Sequence, residues 1–285
     1  MDWNTYLHAI RKRETEVIFS GCPPHAFPAA LELGAGDGYQ STLLRAYVDR
    51  LVVTDWDVTL LLNSRSERVH VRPCDAEAAA DAFPPAEFDL VFSSNMLEHL
   101  PNPGLALRSI HRVLRDDGVT IHVMPSPFWK LCNLSLFFPF CILQGLRRLA
   151  RGPAFKSGAV AHALPNNPKM PSAGRSWARR LWPPPHGAYR GHVQEFWAYR
   201  KARWVHEFQR AGFRVVRIIK GPVCSGYGLG WELLRRMLER AGLTSEYVYV
   251  ATKEGGRSPH EKYFTESDET RLLFLHDRGA VQRAG

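Results

Sequence analysis

Between residues 30 and 124, short apolar runs alternate with segments of helical period, and this rhythm restricts the fold more than composition does. The runs cover 30–33, 51–54, 69–72, 88–92 and 119–124; the intervening helical patterns cover about 39–47, 58–64, 76–82 and 105–114. Each spacing leaves room for the crossover that parallel strands require. Strands and helices in strict alternation indicate an α/β fold, a parallel sheet covered by helices on both faces. A helix over 2–19 precedes the first run. The rhythm stops at Pro125 and resumes with a helix over 196–210, a strand over 213–219, a helix over 231–241 and a last strand over 246–252. The segment between is a long insertion after the fifth strand, and no internal repeat is present.

The first strand runs straight into LELGAGDG, residues 31–38, with Gly34, Gly36 and Gly38 at alternate positions. In an open parallel sheet, ligands bind beyond the carboxyl ends of the strands. Glycine there permits positive φ and removes the Cβ that would hold a ligand away from backbone amides. A phosphate site fits poorly. No Gly-Lys-Ser/Thr follows, the spacing is not Gly-x-Gly-x-x-Gly, and Glu32 would repel a pyrophosphate while attracting an ammonium group. The expected ligand is a nucleoside that bears a cation.

Four stretches in order, LELGAGDG, LVVTDWD, RPCDAEAA and FDLVFSSNMLEHLPNP, resemble the class I S-adenosylmethionine-dependent methyltransferases. The resemblance is to the group that includes ubiquinone/menaquinone-type enzymes. It implies a Rossmann-like seven-stranded, mostly parallel sheet with helices on both faces and an antiparallel last strand, with S-adenosylmethionine as cofactor. By the same resemblance, Asp55 accepts from the ribose hydroxyls, Asp57 being the alternative two residues on. Trp56 stacks on adenine or enters the core, and Asp75 with the Ala76 amide reads the adenine edge or simply caps a helix. Glu32, Gly34, Ala35 and Gly36 cradle the methionyl end, and Ser93 and Ser94 line the same pocket.

The acceptor side is carried by fewer residues. A hydroxyl acceptor benefits from a general base, and histidine is the side chain nearest in pKa. His99 follows the fourth strand and His186 ends the insertion; both are candidate catalytic residues, with His192 behind them. From Gly118 to Gln194 the chain has no Asp or Glu but ten Lys or Arg, so the formal charge of +9 lies wholly in this span, +9 − 10 leaving −1 elsewhere. Such asymmetry implies a local anionic partner. Residues 128–146 are strongly apolar and run into Arg147, Arg148 and Arg151. Lys130, Asn133 and Pro139 argue against a membrane span and for an interfacial or re-entrant segment on an anionic membrane surface, or for a lid. A looser resemblance, in PSPFWKL and EFWAYRKARWVHEFQRAGFRVV, is to methyltransferases of surface-polysaccharide and lipid-linked glycan pathways.

The expectation is therefore a methyltransferase domain over 1–254, with the insertion 125–195 covering the acceptor side, and a polar tail over 255–285. It would O-methylate a glycan or lipid-linked acceptor at the cytoplasmic face of the membrane; the alternative is a soluble small-molecule enzyme with a hydrophobic lid. A nucleic-acid substrate is disfavoured because SSNM stands where a base methylase carries NPPY, and no aromatic platform is spaced for stacking. The five cysteines are scattered and form no CxxC pair, which suits a reducing cytoplasm, and no metal-ligand spacing is evident. The N-terminal stretch does not read as a signal peptide.

Overall fold

In the computed structural model, residues 3–59, 61, 69–151, 183, 185–228 and 232–264 are described, with side chains excepted at 147–151. Seven strands form one sheet: β1 (Phe27–Leu33), β2 (Val48–Asp55), β3 (Val69–Pro73), β4 (Phe88–Ser94), β5 (Leu114–Pro125), β6 (Phe213–Lys220) and β7 (Glu246–Lys253). Their order is β3-β2-β1-β4-β5-β7-β6. Strands β1 to β5 pair in parallel, and β7 inserts antiparallel between β5 and β6. The Rossmann-like sheet with an antiparallel last strand is thus the observed fold. Strand order reverses between β1 and β4, so the crevice for a ligand opens at the carboxyl ends of those two strands.

Alternation along the strands sorts the side chains into two cores. On one face Ala30, Val53, Leu90, Phe92 and Val250 pack against Val17, Ile18 and Phe19 of α1 (Trp3–Phe19). On the other, Leu31, Leu33, Val91 and Tyr249 meet α4 (Pro103–Val113) and α7 (Lys201–Arg210). Helix α4 starts where the sequence dictates: the Asn102 side chain accepts from the Leu105 amide at 3.0 Å and Pro103 fills the first turn. The remaining α-helices among the described residues are α2 (Tyr39–Leu44), α3 (Ala79–Ala82), α5 (Pro127–Arg151), α6 (His192–Ala198) and α8 (Glu232–Arg240).

Several boundaries differ from expectation. The helix expected over 39–47 ends at Leu44, because a turn at Arg45 and Ala46 brings Val48 into register with Phe27. Strand β5 starts at Leu114, recruited by pairing with Phe88 across an irregularity. The helix expected over 196–210 is two helices, separated at Tyr199 and Arg200; the Tyr199 ring is fully buried and Arg200 is extended. The helix expected over 58–64 falls mostly outside the described residues, and Val58 and Thr59 are not helical. The expected boundary at 254 is too early. Phe264, in a 3-10 turn, is 1% exposed and joins the core beneath α1, so the packed domain extends at least to that residue.

Candidate active site

The turn after β1 adopts the left-handed conformations that its glycines permit, with φ of 71° at Gly34 and 60° at Gly36. A Cβ on Gly34 would lie 2.5 Å from Met96 Cγ, so that glycine is required for packing of the β4 loop against the turn. A Cβ on Gly36 would meet nothing within 4 Å. This is open space beside a backbone amide, the form a ligand cradle takes. Asp55, at the end of β2, accepts from the Gly36 amide through Oδ2 at 2.8 Å and from the Asp57 amide through Oδ1 at 3.1 Å. Asp57 is occupied by its own turn, accepting from the Thr59 amide at 3.0 Å. Of the two acids, Asp55 is the one that faces the glycine turn. Trp56 is 59% exposed, which excludes the core alternative.

Glu32 is 2% exposed, and its Oε2 has no hydrogen-bond partner. Burial, opposed by the Ser41 hydroxyl and reinforced by the charges of Asp55, Asp37 and Glu14, pushes its carboxyl up to about 7. A buried carboxyl with an unpaired oxygen fits a ligand that carries an ammonium group. Asp75 accepts from the Glu77 amide at 3.0 Å and so caps the 3-10 turn Ala76–Ala78. Capping uses one oxygen of the carboxylate, and Ala76 is buried next to it.

The two serines part company. Ser94 lies on the Glu32 face, accepting from Arg11 Nη1 at 2.7 Å and donating to Glu14 Oε1 at 2.7 Å, while Gln40 Nε2 also donates to Glu14 at 2.8 Å. This network fastens α1 and α2 over the carboxyl end of β4. Ser93 does not line that pocket. Alternation turns it to the opposite face, where it is 1% exposed and bonded to His122 Nδ1 at 2.7 Å. Arg11, Glu14 and Gln40 had no motif to announce them, being joined only by the fold.

The structure brings His99 and His186 together. Their rings are 4.5 Å apart and nearly perpendicular, and Trp129 packs 4.8 Å from His186. The Ala188 amide donates to the Glu98 carbonyl at 3.1 Å, and the His186 amide donates to Glu195 Oε2 at 3.1 Å. Burial pushes His99 down to about 4; burial, then His99, then Lys130 hold His186 well below its usual range, so both imidazoles are neutral. Glu98 is buried beside them. His192 instead turns toward Glu195, with Nδ1 3.9 Å from Oε2.

Helix α5 is tied to this region by its polar residues. Lys130 Nζ, 3% exposed, donates to Glu195 Oε2 at 2.6 Å, and Asn133 Oδ1 accepts from the Gly226 amide at 2.7 Å. Phe140 stacks on Tyr227 with ring centroids 4.9 Å apart. The opposite side exposes Leu131, Phe138, Ile142 and Leu146. The segment is one helix and not a re-entrant pair, and Pro139 lies inside it. It is long and apolar enough to cross a membrane by length and composition alone. The side chains of Arg147, Arg148 and Arg151, expected to meet head groups, lie outside the described residues.

Comparison with known proteins agrees with this geometry. Residues 31–122 match the family model described as a methyltransferase domain. A probable S-adenosylmethionine-dependent methyltransferase of Mycobacterium tuberculosis is 28% identical over 115 residues, covering 40% of this chain and 42% of the relative. A mitochondrial arginine-hydroxylase of Danio rerio is 34% identical over 99 residues, covering 34% of this chain and 31% of the relative. The chain thus spans less than half the length of these relatives. An S-adenosylmethionine-dependent methyltransferase from Mesorhizobium loti shares the fold, with a TM-score of 0.51 at 14% identity over 85% of this chain and 99% of that one. Residues 31–122 thus match a methyltransferase domain and are set in a Rossmann-like sheet that carries their glycine turn.

Proposed function

We propose that the chain transfers a methyl group from S-adenosylmethionine to a hydroxyl of a glycan or lipid-linked acceptor, working at the cytoplasmic face of a membrane. The observation that carries the methyl-transfer reading is the buried Glu32 carboxyl, one oxygen of which has no partner, on the strand that leads into a glycine turn with open space at Gly36, inside the segment matched as a methyltransferase domain. The cofactor, when bound, supplies an electrophilic methyl on a sulfonium. Glu32 holds the ammonium, Asp55 takes the ribose hydroxyls, and Asp75 with the Ala76 amide takes the adenine edge. Trp56 lies exposed at the end of β2 and covers the adenine face, where stacking adds about 1 kcal/mol.

On the acceptor side, His99 and His186 close over the carboxyl end of β4 and handle the acceptor hydroxyl. That oxygen gives its proton to one of the two imidazoles as it bonds to the methyl carbon, and the sulfur–carbon bond breaks to leave the neutral thioether. The membrane part rests on α5. Lys130 and Asn133 turn inward while Leu131, Phe138, Ile142 and Leu146 turn outward, the division expected of a helix lying on a lipid surface. The same anchoring favours the second reading, a soluble enzyme for small molecules whose α5 is a fixed lid.

Sedimentation with phosphatidylglycerol vesicles separates the two. The membrane reading expects the wild-type chain to pellet with the vesicles, and Leu131→Glu with Ile142→Glu to abolish pelleting while S-adenosylhomocysteine binding is retained. Wild-type protein that stays in the supernatant at low salt, yet turns over a small aromatic hydroxyl, favours the lid.

A further inference from the structure

Three ligand-type groups from two distant stretches of the sequence meet just beyond β4. Glu98 and His99 sit on the 3-10 turn Leu97–His99, and His186 arrives from the far end of the insertion. One carboxylate oxygen and one ring nitrogen from each histidine all lie within 4.8 Å of one another. His99 Nε2 is 3.8 Å from Glu98 Oε1. Spacing in the sequence suggested no metal cluster, and it is the fold alone that assembles this one.

Glu98 is 1% exposed, and neither of its oxygens accepts a hydrogen bond from another residue. A carboxylate in that position is ordinarily paired, hydrogen-bonded or bound to a metal. The nearby cations already have anions of their own. Arg11 is held by Glu14 at 2.6 Å, and Lys130 by Glu195 at 2.6 Å. What remains facing Glu98 is the pair of imidazoles. Two imidazoles and a carboxylate suit a first-row transition ion, whereas magnesium and calcium favour oxygen alone. Tetrahedral bonds of about 2.0–2.2 Å set ligand atoms about 3.4 Å apart, so closure of the widest pair by no more than roughly 1.4 Å would complete the site. Both histidines are partly exposed, which leaves the side away from Glu98 open to water or an incoming oxygen.

We infer that Glu98, His99 and His186 bind one divalent first-row transition ion. If methyl transfer to a hydroxyl is the reaction, such an ion binds the acceptor oxygen and eases loss of its proton, and the histidines serve as ligands in place of a base. That role rests on the function proposed above; the metal site does not.

The test uses the full chain, stripped with chelator and titrated with Zn²⁺ against a chromophoric competitor, and with Co²⁺ read by visible absorption. The expected result is one equivalent of ion, with Co²⁺ bands that lack the thiolate charge-transfer component. His99→Ala, His186→Ala and Glu98→Gln should each weaken Zn²⁺ binding by more than about tenfold, given that even residues behind a ligand contribute 10- to 100-fold. Circular dichroism confirms that each variant folds, and the histidine variants carry the test if Glu98→Gln does not. Binding well below one equivalent, unchanged affinity in both histidine variants, or a thiolate band would overturn the inference. S-adenosylhomocysteine binding is measured on the same samples: its absence with the ion bound counts against the methyltransferase reading and leaves the metal site standing.

Discussion

Glu32 and Gly36 set the terms at the scale of single residues. A carboxyl raised to about 7 by burial holds its proton over a range where an exposed one has lost it. Binding an ammonium group requires that proton to leave. Cofactor affinity should therefore fall as pH drops below about 7, approaching tenfold per unit, since one pKa unit corresponds to 1.36 kcal/mol. In Glu32→Gln this slope should vanish, as isothermal titration at several pH values would register. The stability of the unliganded chain moves oppositely. Between the ordinary glutamate value and about 7 the native state binds the extra proton, so Glu32's contribution declines as pH rises through that window. Gly36→Ala is a cleaner probe of the cradle. Its positive φ costs an alanine about 1 kcal/mol, and nothing in the protein obstructs the new methyl, so the fold should survive while S-adenosylhomocysteine affinity collapses. Gly34→Ala should instead lower the melting temperature, because its methyl would strike Met96. The glycines and Asp55 were legible in sequence because their roles are local to one turn. Glu98 was not, since its meaning depends on a histidine brought from the insertion, and Ser93 was misplaced because strand alternation sends adjacent serines to opposite faces.

Helix α5 raises the corresponding question for an element. In the sequence, Lys130 and Asn133 read as blemishes in an apolar run. In the fold they are its attachment points, Lys130 to a buried Glu195 and Asn133 to the backbone of Gly226. Removing one member of a buried pair leaves the other charged and unpaired, typically at a cost of 3–5 kcal/mol. Lys130→Met should thus destabilise the chain by about 3 kcal/mol in denaturant titration. The double variant Lys130→Met with Glu195→Gln should recover much of that loss. Equal losses in the single and double variants would mean that the pair does not hold the helix. Apolar composition marked the segment but could not reveal which side faced inward, because Glu195 lies just past the acid-free span that made the region look uniformly basic.

For the whole molecule, most of the fold was readable because a parallel sheet imposes its rhythm on the sequence: all seven strands fall on the expected apolar runs. What escaped was contact between chain ends. Phe264 and Tyr263 pack beneath α1 and against the first strand's Phe27, although nothing between residues 255 and 264 marks a core segment except those two aromatics. Truncation after residue 254 should therefore uncover that core and lower the melting temperature markedly, while truncation after 264 leaves the described packing intact; differential scanning fluorimetry would distinguish them.

Central to the account is an S-adenosylmethionine site at the carboxyl ends of β1 and β2, with Asp55 as the sugar ligand. Isothermal titration of S-adenosylhomocysteine into wild type, Asp55→Ala and Asp57→Ala tests it most directly. One bound equivalent is expected in wild type and in Asp57→Ala, with affinity falling by at least about 100-fold in Asp55→Ala, the loss of a bidentate charged contact worth about 3 kcal/mol. No heat of binding in wild type, or equal affinity in Asp55→Ala, would contradict it.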